Sequence, residues 1–150
     1  MKKRFSEISL ILMTIVIVLI VGLKYDGSLS HLLKQRADFI SNIQMGGNRY
    51  IFSFSNLKYY ISYITEPFAL LNILGNIVPF IMLSFFAYGA FSNKKMIYTW
   101  IYCFFVGIGI ELFQYFTWFG VFDISDIVLR LVGTLIGVFI CFCWHIQYNA

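Results

Sequence analysis

Charge is scarce in this chain. Asp, Glu, Lys and Arg make up 12% of its 150 residues, about half the roughly 25% of a soluble domain. Cysteine and histidine are few, with three of one and two of the other. Cys103, Cys141 and Cys143 all fall in apolar runs, and on a helix the last two side chains diverge. That excludes a disulfide scaffold and leaves no complete metal-ligand set around His31 or His145. No Ser or Cys is placed beside a His, so covalent nucleophilic catalysis has no support. Basic residues are interrupted by long apolar stretches, so the +4 balance does not describe a nucleic-acid groove. Internal repeats and low-complexity tracts are absent.

What is abundant is apolar surface. Hydrophobic residues are 60% of the chain and its mean hydropathy is +0.81. Such a chain needs a solvent other than water over most of its surface. Four runs have the roughly 17–25 residues a membrane helix requires: 5–23, 67–91, 96–120 and 124–146. The fold class is therefore all-α integral membrane, a single domain over 1–150 with a long outer loop, 24–66, between spans one and two. The first run follows Lys2, Lys3 and Arg4. It ends at Val21-Gly22-Leu23 without a small-x-small cleavage site, which predicts a retained anchor. The basic N-terminus and the hairpin Ser92-Asn93-Lys94-Lys95 assign both termini to the cytoplasm by the positive-inside rule. Residues 24–48 read as a polar loop with a flexible Gly46-Gly47 pair. Residues 50–64, rich in Tyr and Phe, read as an interfacial segment or a shallow lid.

The few polar residues inside the spans are not scattered. With span two running inward, Asn76 lies about nine residues from its outer end, roughly 14 Å deep, and Glu111 on span three matches that depth. Asn72, Gln114 and Arg130 lie somewhat nearer the boundary, and Asp123 and Asp126 stand at it. Asn72/Asn76 and Asp126/Arg130 are i,i+4 pairs, and Glu111/Gln114 is i,i+3, so each span contributes one polar stripe. Intramembrane charge is costly and by default marks a functional site. The spacing predicts that the stripes turn inward, with Arg130 neutralised by Glu111 or by the two aspartates. The bland reading of Glu111 and Gln114 is a clasp between helices, at roughly 0.6 kcal/mol per hydrogen bond. For Asp123 and Asp126 it is helix capping. Gly133 and Gly137 continue the stripe of span four with small-xxx-small spacing, which Gly107 and Gly109 on span three could receive. Pro79 would free backbone carbonyls just below Asn76.

Leu74-Gly75-Asn76-Ile77, then Glu111-x-x-Gln114, then Gly120-x-Phe122-Asp123-Ile124-x-Asp126-Ile127, then Gly133-x-x-x-Gly137 resemble the VanZ-like membrane proteins in order and spacing over about residues 67–140. The resemblance implies a small multi-pass protein of the bacterial plasma membrane. The family takes its name from a protein linked to resistance to the glycopeptide teicoplanin. Asn76, Glu111, Gln114, Asp123 and Asp126 occupy its motif positions. Two departures stand out: Arg130 replaces a usual Asn, and Pro79 comes early without its matching glycine.

Three functions from different classes fit these residues. The first is a cell-envelope binding protein contributing to glycopeptide resistance. Its outer-leaflet pocket of Asn72, Asn76, Glu111, Gln114, Asp123, Asp126 and Arg130 would hold a membrane lipid or a lipid-linked envelope ligand. The second is an intramembrane hydrolase or transferase with Glu111 as general acid or base. Any metal there would have to sit on Asp123 and Asp126. The third, an ion-coupled transporter, is ranked last because four spans show no repeats. No cofactor is expected, and the Gly133/Gly137 face offers a surface for a homodimer.

Overall fold

The computed structural model describes residues 2–23, 27–91 and 95–149, with side chains from 4 to 144 within those ranges. The basic residues Lys2, Lys3, Lys94 and Lys95, on which the orientation reading leans, and His145 lie outside the described side chains. Among the described residues, four helices are long and apolar enough to cross a membrane. Helix α1 (Lys2–Ile17) runs into one π-helical turn, Val18–Gly22. Helices α2 (Leu29–Gln44) and α3 (Ser55–Ser62) follow, with the two-residue strand β1 (Tyr50–Ile51) between them. Then come α4 (Pro67–Ala90), α5 (Lys95–Thr117), strand β2 (Phe122–Asp123) and α6 (Ile124–Asn149).

Segment 27–66 is more ordered than a loop. The expectation of an irregular polar stretch there is corrected by the 16-residue helix α2. Its cause is visible in the sequence: Leu29, Leu32, Leu33, Phe39, Ile40 and Ile43 recur at helical spacing. Ser28 caps the helix, its side chain accepting from the His31 N–H at 3.3 Å. Gly46, at φ +97°, adopts the left-handed conformation that stops a helix at little steric cost.

Helices α4 and α6 form the largest interface, and its closeness comes from glycine. A Cβ at Gly133 would run into the Ile77 carbonyl, and one at Gly137 would lie 2.7 Å from Ser84 Cβ and 2.8 Å from the Ile81 carbonyl. The face expected to receive a second copy is therefore filled by α4 of the same chain. The partner is also not the expected one: Gly107 faces Phe80 and Arg130, and Gly109 has nothing within 4 Å. Beside this pair, Leu10 and Ile17 of α1 join Phe80, Leu83, Ala87, Cys103 and Ile110 in the main core. Cys103 and Cys141 are buried, while Cys143 is exposed.

Helix α5 stops at Thr117, short of the expected 120. Trp118 takes φ +64°, and the Phe119 N–H reaches back to the Gln114 carbonyl at 3.2 Å, the closing bond of a Schellman turn. Glycine usually holds that place. Here Arg49 stacks over the Trp118 ring at 3.7 Å and the Tyr115 ring at 4.2 Å. Two arginines from segment 27–66 also satisfy carbonyls of this helix end: Arg49 Nη2 donates to Tyr115 at 2.6 Å and Arg36 Nε to Thr117 at 3.1 Å. Cations at a C-terminus complement the helix dipole. A short parallel pairing of Tyr50 with Phe122 and Ile51 with Asp123 ties the same segment to the start of α6.

Candidate functional site

Glu111 and Arg130 are 0% and 1% exposed, and the packing of three spans brings them together. Arg130 Nη2 lies 2.6 Å from Glu111 Oε1. The approach is a charge contact rather than an aligned hydrogen bond, since neither atom has a well-oriented partner. Arg130 spends its remaining donors on the other helices. Nε donates to Asn76 Oδ1 at 2.9 Å, and Nη1 donates to the Gly107 carbonyl at 2.8 Å. One guanidinium thus joins α4, α5 and α6, which suits a rigid planar fork better than an ammonium. Asn76 is oriented for this by its own helix, its Nδ2 donating to the Asn72 carbonyl at 3.1 Å.

Glu111 faces the other way with its second oxygen, which accepts from the Asp123 N–H at 2.7 Å. Asp123 in turn caps α6: its Oδ1 accepts from the Ser125 N–H at 2.8 Å, and its Oδ2 accepts from Asn56 Nδ2 at 2.6 Å. Asp126 Oδ2 stands 3.9 Å from Arg130 Nη2, so the primary counter-charge of Arg130 is Glu111. A carboxylate in this interior depends on that partner, because removing one member of a buried pair strands the other.

A cavity of about 700 Å³ opens beside the pair, at the end of the bundle covered by segment 27–66. Asn72, Asn76, Gln114, Asp123, Asp126 and Arg130 reach its wall, and Glu111 does not. Glu111 is set back behind Arg130, with both oxygens engaged. Gln114, on the same stripe as Glu111, donates from Nε2 to the Val21 carbonyl at 3.0 Å, in the π-turn that ends α1. It also packs on Gly120, where a Cβ would sit 3.4 Å from its Cδ. Pro79 lacks the N–H that would bond the Gly75 carbonyl, and Gly75 is itself on the cavity wall.

Four polar wall residues are not among the expected site residues: Gln35 and Asp38 of α2, and Asn56 and Tyr60 of α3, with Tyr60 expected only as part of the interfacial or lid segment. Gln35 and Phe39 are i,i+4 on α2 with Asp38 beside them, a pattern available once that helix is recognised. Asn56 and Tyr60 are i,i+4 on α3. Tyr60 packs against Ala69 and Leu129. Among the described residues, no three His, Cys, Asp or Glu side chains are grouped closely enough to hold a metal ion.

Four membrane-length helices around a buried Arg–Glu pair and a polar cavity define a multi-pass membrane protein. The chain belongs to the VanZ/LLP1 family, whose sequence model matches residues 8–145. That match takes in α1, α2 and α3 as well as the helices that carry the motif residues. No curated protein and no solved structure matches it.

Proposed function

We propose that this protein sits in the bacterial plasma membrane and binds a lipid-linked or otherwise amphiphilic envelope ligand in the cavity beside Arg130, contributing to glycopeptide resistance of the teicoplanin type. The observation that carries this reading is the composition of the cavity wall. Polar groups from α4, α5 and α6 converge on one side, and the apolar Ile20, Phe68 and Leu71 border it on another. Convergent polar groups bordered by apolar side chains are what an amphiphile's ligand site needs. Membership of the VanZ/LLP1 family supports the link to glycopeptides. The basic N-terminus supports cytoplasmic termini, which would put the cavity in the outer leaflet.

A hydrolase or transferase using Glu111 has less in its favour. A general base must come within hydrogen-bond reach of the proton it takes, and Glu111 lies off the cavity wall, with Oε2 bonded to the Asp123 N–H and Oε1 in charge contact with Arg130.

Gly75→Leu tests the binding reading. A Cβ at Gly75 meets nothing within 4 Å, and leucine is a better helix former than glycine by about 0.8–1 kcal/mol. The variant should insert normally while narrowing the cavity. In a glycopeptide-sensitive bacterium, the unaltered protein should lower teicoplanin susceptibility. Gly75→Leu, at equal membrane abundance, should return it to the level without the protein. Equal protection by both would remove the cavity from the function.

A further inference from the structure

The cavity has two properties that together narrow its ligand. One is its charge. Among the described residues, its wall carries three carboxylates, Asp38, Asp123 and Asp126, against one guanidinium, Arg130. Arg130 is already neutralised by Glu111 at 2.6 Å, so it has no net charge to offer an anion. The carboxylates come from three separate elements, α2, β2 and α6, and all line one cavity, Asp38 from an exposed position. Tyr60, on the same wall, has its phenol pushed up to about 12, first by burial and then by the negative charges of Asp126 and Asp123.

The second property is an exposed apolar border. Ile20 at the end of α1 and Phe68 and Leu71 at the start of α4 reach the cavity wall, and all three are also exposed at the apolar outer surface of the bundle. Gly75 lies one turn below Leu71 with open space beside it. An apolar chain can lie along this edge in contact with lipid while its head occupies the cavity.

We infer that the cavity takes amphiphiles whose head group bears a protonated amine, admitted sideways from the bilayer between α1 and α4, and that it discriminates against anionic heads. The inference rests on the binding reading above and adds the sign of the ligand's charge and its route. An ammonium supplies three donors and no acceptor, which matches a wall of carboxylates and amide oxygens. Among the described residues, a phosphate or carboxylate head would face the carboxylates of Asp38, Asp123 and Asp126, with Arg130 already paired to Glu111. Opposite charges in close approach attract more strongly at the lower effective dielectric of a protein than in water. Desolvation of both groups offsets much of that, leaving a preference on the order of tenfold, about 1.4 kcal/mol.

The test uses the full chain in a neutral detergent, with dodecylamine, dodecyl maltoside and dodecyl phosphate as probes of equal chain length, read by thermal stabilisation and by competition. Dodecylamine should bind about tenfold more tightly than the other two. Asp38→Asn, at an exposed position of α2, should lower that preference without impairing folding, and Asp126→Asn should lower it further. Gly75→Leu should abolish binding of every probe. Equal binding of all three probes, lost in Gly75→Leu, would overturn the charge inference and leave the binding reading standing. Preference for dodecyl phosphate would also overturn it. Binding of dodecylamine that Gly75→Leu does not touch would overturn both. Mass spectrometry of lipids retained on purification separates the sources of the amine. A retained amine-bearing lipid lost in Gly75→Leu assigns the site to a membrane component. No retained lipid, with dodecylamine still preferred, assigns it to an added soluble amphiphile.

Discussion

Arg130 is the residue on which this bundle turns. It occupies a place where the family resemblance leads one to expect Asn, and it brings a full charge into a position that is 1% exposed. That charge is tolerable because Glu111, Asn76 and Gly107 meet it from two other helices. The pair should behave as a unit under mutation. Glu111→Gln should destabilise the protein by about 3–5 kcal/mol, because Arg130 is left without its counter-charge. Arg130→Asn should cost a similar amount for the mirror reason. The double variant should recover much of the loss, since neutral amides also bridge helices. Thermal or denaturant unfolding in detergent, arranged as a double-mutant cycle, measures the coupling. A Glu111→Gln protein as stable as the parent would mean that the two side chains do not depend on each other.

Among the helices, the decisive contact is glycine against backbone. Gly133 and Gly137 let α6 settle onto Ile77, Ile81 and Ser84 of α4, and this carries Arg130 to Asn76. Gly133→Ala should push the helices apart and destabilise by about 1–3 kcal/mol, since the obstructing atom is a carbonyl that cannot swing away. Gly109→Ala, with open space around it, should be neutral or gain up to about 1 kcal/mol of helix propensity. Because the Gly133 face is spent inside the chain, Gly133→Ala should leave the mass of the detergent-solubilised particle unchanged in light scattering. A variant that stayed fully stable but changed its oligomeric state would restore that face to a partner. The helices outside the spans have a different role. Arg36 and Arg49 fasten segment 27–66 to the carbonyl end of α5, and α2 and α3 then wall the cavity.

For the whole molecule, the polar residues collect at one end of the bundle, where α1 and α5 finish and α4 and α6 begin. Which membrane face that end meets is a matter of topology. Both termini and the segment 92–95 should be cytoplasmic, from the basic density of the short segments. In a variant without native cysteines, a thiol placed at Asn48 should react with an impermeant reagent from outside, and one at Lys95 should not. The reverse pattern would move the cavity to the inner leaflet.

Much of this architecture could be read from residue order alone. Long apolar runs demand lipid, and the i,i+3 and i,i+4 spacing of Asn72, Asn76, Glu111, Gln114, Asp126 and Arg130 puts each set on one helix face. Charge in hydrocarbon then has nowhere to go but inward. Helix α2 was legible too, but its Leu and Phe spacing is diluted by Lys34, Arg36 and Asp38, so composition obscured periodicity. Three things depended on the fold in space. Periodicity names a face but not its neighbour, so only packing could show that Gly133 and Gly137 meet α4. Nor does spacing give side-chain depth, and the fold sets Glu111 behind Arg130, away from the cavity wall. The cavity itself belongs to no segment. It exists because Gln35, Asp38, Asn56 and Tyr60, remote in sequence, are carried over the ends of the spans by two arginine caps and one short strand pairing. The sequence by itself determined that polar groups would be buried together in a membrane bundle. The tertiary structure decided which of them hold the helices and which face the open space, because that division depends on distances between segments, and no local pattern encodes those.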